Sequence, residues 1–112
     1  MVVNGAIDRA ISSGAALELS ELLRLKAEVL AARTQASRAV AMDVLKESLR
    51  VAREQTALAY QLRSATTLAR LLSDEGHRDR AREILAPVYE RFTEGFETPD
   101  LRIAHAVLKD LA

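Results

Sequence analysis

The chain has 112 residues, the length of a single domain, and its 16 basic and 16 acidic residues leave a formal net charge of zero. A neutral chain creates no long-range field toward polyanions, which argues against nucleic acid as a partner. The absence of cysteine excludes disulfides, thiolate metal sites and a cysteine nucleophile. Residues that favour helices dominate the composition and aromatic residues are only 4%, so we expect an all-α fold.

The sequence shows no sign of a targeting or membrane segment. Its first ten residues, MVVNGAIDRA, have neither a basic leader nor a long apolar run. No stretch approaches the run of about 18 uncharged apolar residues that a membrane span requires. We therefore expect a soluble, cytoplasmic protein without a membrane partner.

Apolar residues recur at intervals of three and four along most of the chain, which predicts about six helices joined by short connections. The predicted helices cover residues 5–12, 16–33, 37–55, 57–75, 78–94 and 98–112. The positions expected to face a core include Leu19, Leu22, Leu23, Val40, Ala41, Leu45, Leu62, Leu68, Ala69, Leu72, Ala81, Leu85, Phe92, Ile103 and Ala104.

Residues between these segments carry the signals of helix ends. Thr56 is placed to cap the helix that follows it, and Gly76 can adopt the left-handed conformation that terminates a helix. Thr98 and Pro99 have the N-cap and first-position preferences of a last helix. Pro87 removes a backbone hydrogen bond within the fifth segment, which predicts a kink there.

An internal repeat indicates how the helices are arranged. The second and third segments align with the fourth and fifth at an offset of about forty residues. The alignment pairs Ala27 with Ala69, Leu30 with Leu72, Ala41 with Ala81 and Leu45 with Leu85. Such a period is typical of stacked antiparallel helical hairpins, in which each pair buries its face against its neighbours. We therefore predict one domain, with a partial leading helix at 1–14, hairpins at 15–55 and 57–95, and a capping helix at 98–112.

Within this repeat, the stretch ATTLARLLSDEGHRDRAREIL resembles a tetratricopeptide repeat. Leu68 and Ala69 match the paired large and small positions of its first helix. Gly76 matches the turn, and Ala81 and Leu85 match the small and large positions of its second helix. The resemblance implies that the hairpins stack as a short superhelix.

A longer run, from LRSATTLARLL through EGHRDRAREILAPVYERFTEGFETPDLRIAHAVLKDL, resembles the C-terminal tail of large bacterial signalling proteins and transcriptional regulators. In those proteins an adenylate cyclase or DNA-binding domain and an AAA-type ATPase precede a helical-repeat tail. The resemblance implies a fold and a regulatory context. It implies no activity, because this sequence has no G-x-x-x-x-G-K-[ST] phosphate loop.

No group of residues predicts catalysis. His77 lies near Asp74, Glu75 and Asp79, but their spacing matches no metal-binding motif, so a solvated turn is preferred to a metal site. Ser64 has no accompanying histidine and acid that would activate it as a nucleophile. We expect no enzyme activity, no cofactor and no bound metal.

The arginines of the last two segments alternate with acidic residues. This alternation favours weak surface ion pairs over a stripe that binds phosphate. The arginines are Arg78, Arg80, Arg82, Arg91 and Arg102.

The repeat predicts one row of candidate binding residues, because the first helix of each stacked hairpin lines a concave face. The row comprises Glu21, Arg24, Glu28, Arg63, Thr66, Arg70 and Asp74. We interpret it as a surface for a protein or peptide partner, which makes the chain a non-catalytic scaffolding module. The alternative is a sensor that binds a small anionic ligand around Arg63 and Arg70.

Four apolar residues near the N-terminus have too few predicted partners. They are Val2, Val3, Ile7 and Ile11, and the short helix that carries them looks like the second half of a hairpin. The end of a helical array normally presents a polar face. We therefore expect either that the chain comes from a longer protein or that it forms a homodimer through this helix.

Overall fold

The structure is a computed structural model that describes residues 16–112, and in this range the chain is helical without any strand. The all-α prediction is thereby confirmed. The helices are α1 (Ala16–Ala31), α2 (Gln35–Glu54), α3 (Leu58–Asp74), α4 (Arg78–Tyr89) and α5 (Pro99–Leu111). Residues 16–112 thus contain five helices where the prediction for the whole chain was about six. The predicted leading helix falls within residues 1–15, outside the described residues.

The short connections use local hydrogen bonds to end one helix and begin the next. Thr34 caps α2, because its backbone is extended and its Oγ1 accepts a 3.0 Å hydrogen bond from the Ser37 N–H. At the end of α3, Gly76 has a φ of 86° and the His77 N–H donates to the Leu72 carbonyl at 2.8 Å. This left-handed glycine is the helix stop that the sequence predicts.

Thr56 does not cap α3, which corrects the prediction. Its φ is 52°, and its N–H donates to the Arg53 carbonyl at 3.0 Å, while the Ala57 N–H donates to the Ala52 carbonyl at 3.0 Å. Thr56 therefore occupies the left-handed position that closes α2. The N-cap of α3 is Ala57, whose side chain has no hydrogen-bonding group.

Helix α4 ends at Tyr89, five residues before its predicted end. Pro87 lies in its last turn and supplies no N–H, and the Arg91 and Phe92 N–H groups donate to carbonyls only three residues earlier. The chain then turns through Gly95, whose φ is 76°. Phe92 still contacts the core from outside the helix, so its apolar spacing extended the prediction too far.

The core is built from the small and large residues of the internal repeat. Its four alanines, Ala27, Ala41, Ala69 and Ala81, are fully buried, as are Leu45 and Leu85. Small residues let neighbouring helices approach closely, and the leucines fill the space between them.

Three residues that were expected to face the core are instead exposed. Leu22, Val40 and Ile103 have 41%, 51% and 40% of their surface accessible.

Three serines form a buried polar contact between α1, α2 and α3. The Ser48 Oγ donates to the Ser20 carbonyl at 2.6 Å, and the Ser20 Oγ donates to the Ser48 carbonyl at 3.0 Å. The Ser64 Oγ lies 2.7 Å from the Ser48 Oγ and is the donor, because the single hydroxyl proton of Ser48 is already engaged. Throughout residues 18–112, every buried side-chain nitrogen and oxygen has a hydrogen-bond partner.

Each helix contacts the next one in sequence, and α3 also contacts both α1 and α5. Among the described helices, no other pair brings Cα atoms within 8 Å. The five helices pack as a compact globule of 40 × 34 × 19 Å, whose smallest dimension is about two helix diameters.

Two arginines of α4 fix the end of α5. Arg78 donates to the carbonyl of Asp110, and Arg82 donates to the carbonyl of Leu111. Positive charge is favourable at a helix C-terminus, where carbonyl groups lack partners within the helix. These two side chains therefore join helices, and Arg82 also lies 3.7 Å from Asp79 Oδ1 in a surface ion pair.

No helix within residues 16–112 combines the length and the apolar composition that crossing a membrane would require.

Candidate binding groove

Helices α1, α3 and α5 share a face that contains a cavity of about 280 Å³. Its lining combines charged, hydroxyl and apolar side chains from all three helices. They are Arg24, Glu28, Arg63, Thr66, Thr67, Arg70, Asp100 and Ile103.

A second cavity of about 330 Å³ adjoins the first toward the C-terminal ends of α1 and α3. The two cavities share Glu28, Thr67 and Arg70 as lining residues. The remaining lining of the second cavity is Ala31, Ala32, Arg38, Leu71 and Asp74. We refer to the two cavities together as the groove.

The spacing of residues on α3 explains the central wall of the groove. Arg63, Thr66 and Arg70 follow one another at intervals of three and four, so they lie along one side of the helix. The hydroxyl groups of Thr66 and Thr67 donate to the carbonyls of Leu62 and Arg63, at 2.7 and 3.1 Å. Their oxygens remain able to accept hydrogen bonds from a ligand.

Ion pairs connect the three helices along one side of the groove. Arg24 donates from Nε and Nη2 to the two carboxylate oxygens of Glu21, both at 2.9 Å, and its Nη1 lies 3.1 Å from Glu28 Oε1. Arg63 donates from Nε to Asp100 Oδ2 at 2.8 Å and from Nη1 to Glu21 Oε2 at 3.3 Å. Glu21, Arg63 and Asp100 thus link α1 through α3 to α5.

The network favours the charged forms of Glu21, Arg24 and Arg63. The hydrogen bonds from Arg24 lower the pKa of Glu21, against the opposing effect of its burial, and Arg63 lowers it further. The hydrogen bond to Asp100 raises the pKa of Arg63, and the hydrogen bond to Glu21 raises that of Arg24. Because the three carboxylates of Glu21, Glu28 and Asp100 outnumber Arg24 and Arg63, these two arginines present no excess positive charge to the groove.

Arg70 differs from the other two arginines of the groove. It is exposed, it lines both cavities, and it forms no ion pair with any residue in the described part of the chain. Its guanidinium therefore keeps its five donors available to a ligand.

All seven predicted binding residues lie on this side of the molecule. Five of them line the first cavity, Glu21 belongs to the ion-pair network, and Asp74 lines the second cavity. Asp74 is also 3.6 Å from Arg38, which lies 3.4 Å from Glu75. A role of these residues in binding stays a prediction.

Sequence reasoning missed three residues that line the first cavity, Thr67, Asp100 and Ile103. Asp100 is absent from the predicted row of binding residues, and Ile103 was expected to face the core. The repeat held a signal for Ile103, since an offset of about forty residues carries Arg63 onto it. The prediction treated α5 only as a capping helix, and so it did not anticipate that α5 packs beside α3.

Two other groups of residues add no site to the described chain. Within residues 16–112, no three histidine, aspartate or glutamate side chains gather as a metal site would require. The proposed self-association residues, Val2, Val3, Ile7 and Ile11, lie outside the described residues.

Comparisons of the chain with models of protein families, with curated proteins and with solved structures found no match. The geometry of the groove is therefore the main guide to the function of the chain.

Proposed function

We propose that this chain is a non-catalytic module that binds a peptide segment of a partner protein in the groove between α1, α3 and α5. The observation that carries the proposal is the lining of the groove, where exposed Ile103 and an Arg70 that forms no ion pair within residues 16–112 accompany arginines already paired with carboxylates. A peptide can offer an apolar side chain, an acidic side chain and backbone groups to such a surface.

We further propose that the helices form a short superhelix of stacked hairpins like that of tetratricopeptide repeats. The hairpins are α1 with α2 and α3 with α4, and α5 begins the next layer. Support comes from the neighbour order, in which α3 contacts both α1 and α5 while α2 and α4 do not contact each other. In such arrays one layer of helices provides an extended concave surface for partners.

A small anionic ligand is the second candidate for the groove. Arg70 beside Thr66 and Thr67 favours it, because a guanidinium and hydroxyl groups suit an anion. The pairing of Arg24 and Arg63 with carboxylates weakens it, because those two arginines attract an added anion little. The peptide is therefore the better supported ligand.

The cellular setting of the module is proposed from the sequence resemblance. Its likeness to the tails of bacterial signalling and regulatory proteins supports a scaffolding role in such a protein, in the cytoplasm. Peptide binding by the groove does not depend on this setting.

Selection from a displayed library of short random peptides tests the function. Peptides enriched on the chain should bind it in solution, and Arg70→Glu should weaken that binding roughly tenfold, or about 1.4 kcal/mol. Arg53→Glu is the matched control, since Arg53 is exposed on α2 and lines no part of the groove. The proposal fails if no peptide is enriched or if both variants bind as the wild type does.

A further inference from the structure

The groove continues into a third cavity at the C-terminal end of α3. This cavity has a volume of about 560 Å³, and Arg38 and Asp74 line both it and the second cavity. The three cavities therefore follow one side of α3 from Arg63 to Asp74. At about 1.5 Å per residue of helix this distance is about 16 Å, the length of about five residues of extended peptide.

The middle of this path presents a positive charge. Arg70 lines the first two cavities and forms no ion pair within residues 16–112. Glu28 lines the same two cavities but pairs with Arg24 at 3.1 Å. Arg70 is therefore the arginine of the groove that gains most from an acidic group on a ligand.

The end of the path at the third cavity presents a negative charge. Asp74 and Glu75 both pair with Arg38, at 3.6 and 3.4 Å, and with no other cation in the described part of the chain. Two carboxylates thus share one guanidinium, and the Asp74 side chain is 67% accessible. A basic group on a ligand is attracted to this end.

The opposite end of the path offers an apolar contact. Ile103 of α5 is 40% accessible and lines the first cavity but not the second, which places it on the Arg63 side of Arg70. A ligand that runs along α3 from this end meets apolar surface, then a cation, then an excess of carboxylates.

The width of the path limits the conformation of the ligand. Arg63 donates to Asp100 of α5 through Nε and to Glu21 of α1 through Nη1, so a single guanidinium separates these two carboxylates. A helix with its side chains is roughly 10–12 Å across, which is wider than a guanidinium with a hydrogen bond on each side. An extended chain fits this width better.

We propose that the peptide bound by the groove is extended and carries an apolar, an acidic and a basic residue in that order along α3, facing Ile103, Arg70 and Asp74. This inference rests on the proposed function and adds the chemistry by which the groove selects its partner. Arg70 and Asp74 lie about 6 Å apart along the helix axis, close to the spacing of about 6.6 Å between alternate residues of an extended chain. The acidic and basic residues are therefore separated by one residue, whichever way the peptide runs.

Selection of short random peptides, displayed as a library, on the wild type and two variants tests this inference. Peptides enriched on the wild type should carry an acidic and a basic residue separated by one position, with an apolar residue on the acidic side. On Asp74→Lys, an acidic residue should replace the basic one while the acidic residue that faces Arg70 is kept. Asp43→Lys is the matched control and should enrich the same peptides as the wild type, because Asp43 is exposed on α2 and lines none of the three cavities.

Binding in solution measures the same exchange of charge. A synthetic peptide with the sequence enriched on the wild type should bind Asp74→Lys about fivefold more weakly, and glutamate in place of its basic residue should restore the affinity.

Two results would overturn this inference and leave peptide binding in the groove standing. One is a set of enriched peptides that lack the acidic and basic pair, or that space the two by three or four positions as a helix does. The other is an unchanged preference on Asp74→Lys. If no peptide is enriched on the wild type, the proposed function and this inference fail together.

Discussion

At the scale of single residues, helix ends show where the sequence accepts backbone strain. Thr56 and Gly76 both have positive φ at the end of a helix, 52° and 86°. Glycine adopts this conformation freely, whereas a β-branched residue rarely does. Thr56 therefore closes α2 at a conformational cost that Gly76 avoids at the end of α3.

We predict that Thr56→Gly stabilises the protein by about 0.5–1 kcal/mol, because the relief of left-handed strain exceeds the added entropy of an unfolded glycine. Urea denaturation of the wild type and the variant measures the difference. The reverse change, Gly76→Thr, should destabilise by about 1 kcal/mol. Equal midpoints for Thr56→Gly and the wild type would contradict the prediction.

Glu21 makes the stability of the folded protein depend on pH. Its folded-state pKa is lowered, so its contribution is fully present above the unfolded value of about 4.3 and is lost as pH falls through the folded value. We predict that Glu21→Gln destabilises by about 1 kcal/mol at neutral pH and much less in acid. Urea midpoints measured between about pH 7 and about pH 2.5 test this.

Glu97→Gln provides the control for this experiment, because Glu97 is exposed in the loop before α5. The urea midpoints of this variant should match those of the wild type at each pH. If Glu21→Gln also follows the wild type at every pH, the ion-pair network does not stabilise the fold.

At the scale of elements, apolar spacing predicted the helices but misjudged features that depend on their neighbours. The starts of α1, α4 and α5 and the end of α3 lie within two residues of prediction. The end of α4 was placed too late because Phe92 continues the apolar spacing from the loop. The buried contacts of Ser20 went unrecognised, because a serine counts as polar until its partners on another helix are known.

The serine contact between α1, α2 and α3 leads to a prediction about packing. Ser48→Ala should cost about 1–2 kcal/mol, because it leaves the buried Ser64 hydroxyl without its acceptor and removes the side-chain donor to the Ser20 carbonyl. Ser48→Val should cost more, about 2–3 kcal/mol, because its methyl groups also have no room beside Ser64. Thermal and urea unfolding measure both.

Ser73→Ala is the matched control, at a half-exposed position in the last turn of α3, and should change stability by no more than about 0.5 kcal/mol. A Ser48→Val variant as stable as the wild type would show that the three helices can separate at this point without penalty.

At the scale of the whole molecule, the repeat predicted the polar row but not the bonds within it. The offset of about forty residues correctly predicted that Ala27, Ala41, Ala69 and Ala81 are buried. It could not reveal that Arg63 pairs with Asp100 and Glu21, because such pairs depend on how three helices lie against one another. The same packing, rather than any local pattern, leaves Arg70 as the available cation of the groove in the described chain.

If a peptide occupies the groove between α1, α3 and α5, as we propose, amide chemical-shift mapping with a library-selected peptide will locate it there. The shifted signals should cluster around Arg24, Thr67 and Ile103, while exposed positions such as Glu47 on α2 and Arg80 on α4 keep their shifts. Shifts centred on α2 and α4, or on exposed Leu25 and Val29 of α1, would rule out binding in the groove.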